Sequence, residues 1–138
     1  MKSYFVWALL SALFAGVTAI LAKKGVEHVP PNLAVAVRVG VVVVFATAIA
    51  IATKQTKIAD VDSRAWMFLV ASGIATGLSW LCYFRALSEG PVSQVAPIDK
   101  LSFVIAMVLG FVILKEKVTV NLVAGAALIV SGVLLTLR

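Results

Sequence analysis

The sequence holds one cysteine, Cys82, and one histidine, His28. No internal disulfide can form, and the spacing rules for metal sites have nothing to act on. Charge is scarce too: Asp, Glu, Lys and Arg make up 13% of the 138 residues, against about 25% in an ordinary soluble domain. There is no His-Glu-x-x-His, no Gly-x-Ser-x-Gly, no phosphate-binding glycine loop, and no carboxylate pair spaced for acid–base work. Together these absences argue against a water-soluble fold, a metalloprotein and an enzyme, and no cofactor is expected. The net charge of +6 comes from basic residues in ones and twos between apolar runs. That pattern lacks the basic stripe with interleaved aromatics that nucleic acid requires.

What is plentiful is apolar sequence, with 62% hydrophobic residues and a mean hydropathy of +1.11. A helix needs roughly 20 apolar residues to cross about 30 Å of hydrocarbon. Five segments suit that length: Tyr4 to Ala22, Leu33 to Thr53, Ala65 to Leu87, Val92 to Leu114 and Thr119 to Leu137. The expected fold is all-α, a polytopic bundle of five transmembrane helices in one domain over residues 1–138, surrounded by membrane lipids. The first run ends in Lys23-Lys24-Gly25 without an exposed cleavage segment, so it reads as a retained span rather than a signal peptide. The connections Lys23 to Asn32, Lys54 to Arg64, Ser88 to Pro91 and Lys115 to Val118 are short, which makes consecutive helices antiparallel neighbours. The charged stretch from Lys54 to Arg64 reads as a solvated loop.

An odd number of spans places the termini on opposite sides. With the N-terminus cytoplasmic, six basic residues (Lys2, Lys54, Lys57, Arg64, Lys115, Lys117) face four (Lys23, Lys24, Arg85, Arg138). The positive-inside rule favours that orientation by a small margin, and a small margin is compatible with insertion both ways. No repeat is visible within the chain. Many secondary transporters consist of two inverted halves, and an odd-span unit recovers that symmetry by pairing antiparallel with a second copy.

Charged residues inside a span cost about 2.5 to 3.5 kcal/mol on insertion scales, so each needs a partner, water or a route to the interface. Arg38 lies in the second span, and Asp99 and Lys100 lie in the fourth. Both spans start from the same side, so these residues sit roughly 8 to 10 Å below one face, with Arg85 at the end of the third span above them. One reading is a polar cavity in which Asp99 pairs with Arg38 or Lys100, leaving net positive charge for an anionic group of a small-molecule substrate. The other has the cations snorkelling to the interface with Asp99 neutralising one of them, although a side chain as short as Asp99 cannot itself snorkel.

Pro97 removes an N–H from the fourth span and leaves the Ser93 carbonyl without its usual partner. A bend two residues before Asp99 follows, as a plain kink or as irregular backbone lining water. Trp80 and Tyr83, with Arg85, fit either a pocket wall or an interfacial aromatic belt. Gly73 and Gly77 are a small-xxx-small pair, and Gly125 and Gly132, flanked by Ala124 and Ser131, smooth one face of the fifth span as a candidate dimer seam.

The run Tyr83-Phe84-Arg85-Ala86-Leu87-Ser88-Glu89-Gly90-Pro91-Val92-Ser93-Gln94-Val95-Ala96-Pro97-Ile98-Asp99-Lys100-Leu101-Ser102, followed by Leu114-Lys115-Glu116-Lys117, resembles the EamA domain of the drug/metabolite transporter superfamily. It is closest to the short, single-domain, five-span members. The opening Trp7-Ala8-Leu9-Leu10-Ser11-Ala12-Leu13-Phe14 and Ala36-Val37-Arg38 fit as well, so the likeness covers essentially the whole chain. Longer relatives carry two such domains in inverted orientation and move metabolites by alternating access. The resemblance therefore implies one EamA-type repeat unit, a half-transporter completed by a second copy in an antiparallel homodimer. A more distant likeness to the four-span multidrug exporters stops at the first span, which lacks their membrane-embedded acid.

The expected function is secondary transport of small polar metabolites across the cytoplasmic (inner) membrane, with Arg38, Asp99, Lys100, Arg85, Trp80 and Tyr83 along the pathway. The alternative is a non-transporting membrane subunit that stabilises or gates a partner.

Overall fold

The computed structural model describes residues 3–137, and all of its regular elements are helical. They are α1 (Ser3–Val26), α2 (Pro31–Ala52), a short 3₁₀ turn (Ile58–Asp60), α3 (Ser63–Glu89), α4 (Val92–Asp99), α5 (Leu101–Leu114) and α6 (Val120–Thr136). Lys2 and Arg138, which enter the charge count above, lie outside the described residues.

Val and Ile have modest helix propensity, yet α2 runs through Val41-Val42-Val43-Val44 without interruption. In hydrocarbon every backbone N–H and C=O needs an internal partner, so the helix is favoured whatever the side chain. Three stretches, Tyr4–Val26, Pro31–Ala52 and Ser63–Glu89, are single helices long and apolar enough to span a membrane. A fourth, Val92–Leu114, reaches that length as α4 and α5 together. The last apolar segment, α6, is shorter at 17 residues. The fold is a membrane helix bundle.

The helix ends differ from the apolar runs in an instructive way. α1 continues through Lys23-Lys24-Gly25 to Val26, and α2 begins at Pro31, which shortens the first connection. Hydropathy ends where charge begins, but a helix ends where its hydrogen bonds do. Pro31 sits at the first helical position, where its missing N–H is no loss, and the Pro30 carbonyl accepts from Ala34 N–H at 3.0 Å. α3 likewise extends two residues beyond its apolar run at each end. At α6 the Thr119 side chain accepts from Leu122 N–H at 3.3 Å, an ordinary N-cap. The Lys54 to Arg64 connection contains the 3₁₀ turn rather than being irregular throughout.

α2 closes with Lys54 in the left-handed region (φ 57°). Lys54 N–H bonds the Ile51 carbonyl at 3.0 Å and Gln55 N–H bonds the Ala50 carbonyl at 2.9 Å, the pattern of a Schellman cap, whose left-handed position usually carries glycine. Lys54→Gly relieves a Cβ clash and is expected to raise stability by about 1 kcal/mol. Reversible unfolding in mixed micelles checks this.

The chain divides into two compact units, residues 1–89 and 90–138. In the first, α3 packs against both α1 and α2. Its buried side chains are Ala19, Ala22 and Val26 from α1, Val35 from α2, and Phe84 and Leu87 from α3. All come from the last turns of α1 and α3 and the first turns of α2, so the packed core lies at the end that carries the α1–α2 connection. Elsewhere the unit presents apolar side chains outward, among them Leu9, Phe14, Val44 and Phe45, as a lipid-facing surface does. In the second unit α6 packs on α4 and α5 and buries Ala126 and Val133, seven residues apart on one face.

Candidate site at the α1–α2–α3 end

Beside the first unit's core lies a cavity of about 370 Å³, near the lower end of the 300–1,000 Å³ range typical of ligand sites. Its walls come from α1 (Thr18, Leu21, Ala22, Gly25), the connection (Val29), α2 (Ala34, Val37, Arg38) and α3 (Phe84). Apart from the Thr18 hydroxyl and the Arg38 guanidinium, these side chains are apolar.

The Arg38 guanidinium lies 4.3 Å from the Trp80 ring centre and 5.4 Å from that of Phe84. Trp80 and Phe84 are four apart, hence neighbours on one face of α3, and together they form an aromatic seat. A desolvated cation on such a seat gains about 2 kcal/mol, which offsets part of the cost of taking it out of water. Among the described residues of the first unit no carboxylate pairs with Arg38, and no hydrogen bond engages it. Nor is any of its nitrogens sealed away without a partner. Its face is occupied and its N–H edge is open.

The other sequence-derived candidates divide between the two units. Tyr83 is half-buried, with its ring edge-on to Phe84 at 6.4 Å between centres. Arg85 is exposed and bonds to Glu89 one turn later, while the Ser88 hydroxyl donates to the Arg85 carbonyl at 2.7 Å. Glu89 therefore neutralises Arg85 within α3. In the second unit Lys100 pairs with its neighbour Asp99 at 3.4 Å. The interruption between α4 and α5 falls at Lys100, three residues after Pro97. There Lys100 N–H bonds the Pro97 carbonyl at 3.0 Å, and the Lys100 carbonyl accepts from Phe103 N–H at 3.1 Å, both tight three-residue steps of the 3₁₀ kind. A Cβ added at Gly125 or Gly132 would meet nothing within 4 Å, so neither glycine is required by packing within its own unit.

The family scan matches the EamA-like transporter family over residues 2–138. The chain belongs to that family. A transporter of Sinorhizobium sp., described as an uncharacterized transporter in the cobO 3′ region, is 44% identical over 97% of this chain and 96% of its own length. An uncharacterized protein of Methanocaldococcus jannaschii is 27% identical over 98% of this chain and 96% of its own length. No solved structure matches the chain significantly. As an EamA-like protein it is a multi-pass membrane protein with a general transport role, in contact with lipid.

Several residues of this candidate site escaped the sequence reading. The α1 wall was invisible because Thr18, Leu21, Ala22 and Gly25 look like any apolar helix. Phe84 and Glu89 carried a readable signal, the four-residue spacing from Trp80 and from Arg85. Lys23 stood only as a topology signal, yet its ammonium donates to the Leu87 carbonyl at 2.8 Å. That carbonyl is one of the last four of α3, which have no partner within the helix. Lys23 therefore caps α3 from α1.

Proposed function

We propose that this EamA-like protein is a secondary transporter that carries a small polar metabolite across the cytoplasmic membrane by alternating access. The observation that carries the proposal is Arg38, a half-buried cation on an aromatic seat, open to a cavity of about 370 Å³ and paired with no acid among the described residues of the first unit. Such a charge inside a span is costly, and a substrate anion supplies the missing partner.

In this reading residues 1–138 act as one EamA-type domain, and α6 is the fifth span. Its 17 residues correspond to about 25 Å, the lower limit for crossing. Trp80, Tyr83 and Arg85 accompany Arg38 along the pathway. Asp99 and Lys100 are assigned to it by their sequence depth and by the helix interruption at Lys100, since irregular backbone at membrane depth belongs where it lines water or is packed in protein. The same interruption offers α4 and α5 a hinge for the alternating step.

Asp99→Asn is expected to abolish solute flux in proteoliposomes while membrane insertion and yield stay at wild-type level. Wild-type flux in that variant would remove Asp99 from the pathway. With five spans, completion of the pathway falls to a second, antiparallel copy along the Gly125–Gly132 face. Tags at both termini should then each be accessible from both sides of the membrane; a single orientation for every copy would overturn the antiparallel dimer.

A further inference from the structure

The first unit's cavity also narrows the substrate class. We infer that the site selects a monoanion: a compound with one carboxylate, an apolar body and no amine. This rests on the transport reading given above and adds the chemistry of what is carried.

Three features of the cavity support it. First, the cation is an arginine whose guanidinium lies over the Trp80 ring, and its planar N–H fork suits two parallel bonds to a carboxylate. Among the described residues of the first unit no second cation lines the walls, so one negative charge is neutralised there and a second is left without a partner, at several-fold cost in affinity. Second, among the described residues of the first unit no carboxylate lines the cavity, so the ammonium of an amino acid or an amine finds no charged partner there. The Thr18 hydroxyl is the remaining polar group, suited to one further oxygen of the ligand. Third, Leu21, Ala22, Val29, Ala34 and Val37 make the rest of the wall apolar, which rewards a branched aliphatic or aromatic body and penalises a polyol.

The test is ligand-dependent thermal stabilisation of the purified full chain in detergent, with solute counterflow in proteoliposomes alongside. The probes are isovalerate and phenylacetate, the neutral isovaleramide, isoamylamine, leucine, inorganic phosphate, and palmitate as the long-chain carboxylate. Isovalerate and phenylacetate are expected to bind at least about tenfold more tightly than the amide, the amine, leucine or phosphate. In Arg38→Gln the preference of acid over amide should shrink to within about threefold. The comparison of acid with amide in the unaltered protein keeps the test valid even if that variant fails to fold. Equal or tighter binding of the amine, leucine or phosphate overturns the inference, as does stronger binding of palmitate, which would make the cavity a lipid site. If counterflow instead carries a cationic or neutral solute, the inference fails and the transport reading stands. If the short acids bind as expected but no solute of any class is carried, the ligand class stands and the transport reading fails.

Discussion

Arg38→Gln is expected to lower transport about 30-fold or more while leaving the chain inserted and folded. Truncating one partner of a buried, hydrogen-bonded charge pair costs about 2 to 5 kcal/mol, and each 1.4 kcal/mol is about tenfold. In the empty protein the same change removes only the contact with Trp80 and Phe84, worth about 0.5 to 2 kcal/mol. Part of that loss is returned, because a half-buried cation no longer has to be desolvated. Binding therefore suffers more than folding does. Arg38→Lys should fall between the two: it keeps the charge but loses the planar fork and the stack. Initial rates over a range of solute concentration, with size-exclusion profiles of each variant, separate loss of binding from loss of structure.

Lys23→Met is expected to act the other way round, on stability first and on transport second. The Lys23 ammonium meets the Leu87 carbonyl at 2.8 Å, and Leu87 is fully buried. A hydrogen bond to a charged group contributes about 1.5 to 3 kcal/mol, and a cation at a helix C-terminus adds about 0.3 to 1 kcal/mol by meeting the helix dipole. Methionine keeps the apolar stem and removes the donor, so a loss of about 2 to 3 kcal/mol should appear in reversible unfolding. Lys23→Arg should retain most of the stability. Lys24→Met, one residue on and exposed, should stay within about 0.5 kcal/mol of wild type. Equal effects at the two lysines would show that charge at this end of α1 matters and the cap does not. A weakened cap also loosens the end of α3 that carries Phe84, so ligand affinity should fall together with stability.

Most of the fold was legible because the bilayer imposes a single length scale and one acceptable backbone. The apolar runs coincide with the helices to within a few residues. The misses at Val26, Pro31, Ser63 and Glu89 occur where helical hydrogen bonding continues past the hydropathic edge. Arg38 was legible as a candidate for the same reason: a charge at that depth demands an account. Its surroundings were not. The sequence reading offered Asp99 as a partner for Arg38 or Lys100; Asp99 pairs with Lys100, and within the first unit Arg38 rests on Trp80 and Phe84. Cation–π contacts leave no charge pattern to read, whereas ion pairs do. The cavity wall on α1 was hidden for a related reason, since a void depends on what fails to fill it. Lys23 shows the reverse problem. A topology signal and a helix cap have the same composition, and only the position of the Leu87 carbonyl tells them apart.

Solute counterflow by the purified chain alone, reconstituted without any other protein, tests the central claim most directly. Saturable exchange of a small anionic solute is expected, collapsing in Arg38→Gln and persisting in Lys24→Met. If the folded wild-type chain shows no exchange above protein-free liposomes for anionic, neutral or cationic solutes, the claim is contradicted and the role of a subunit serving a partner takes its place.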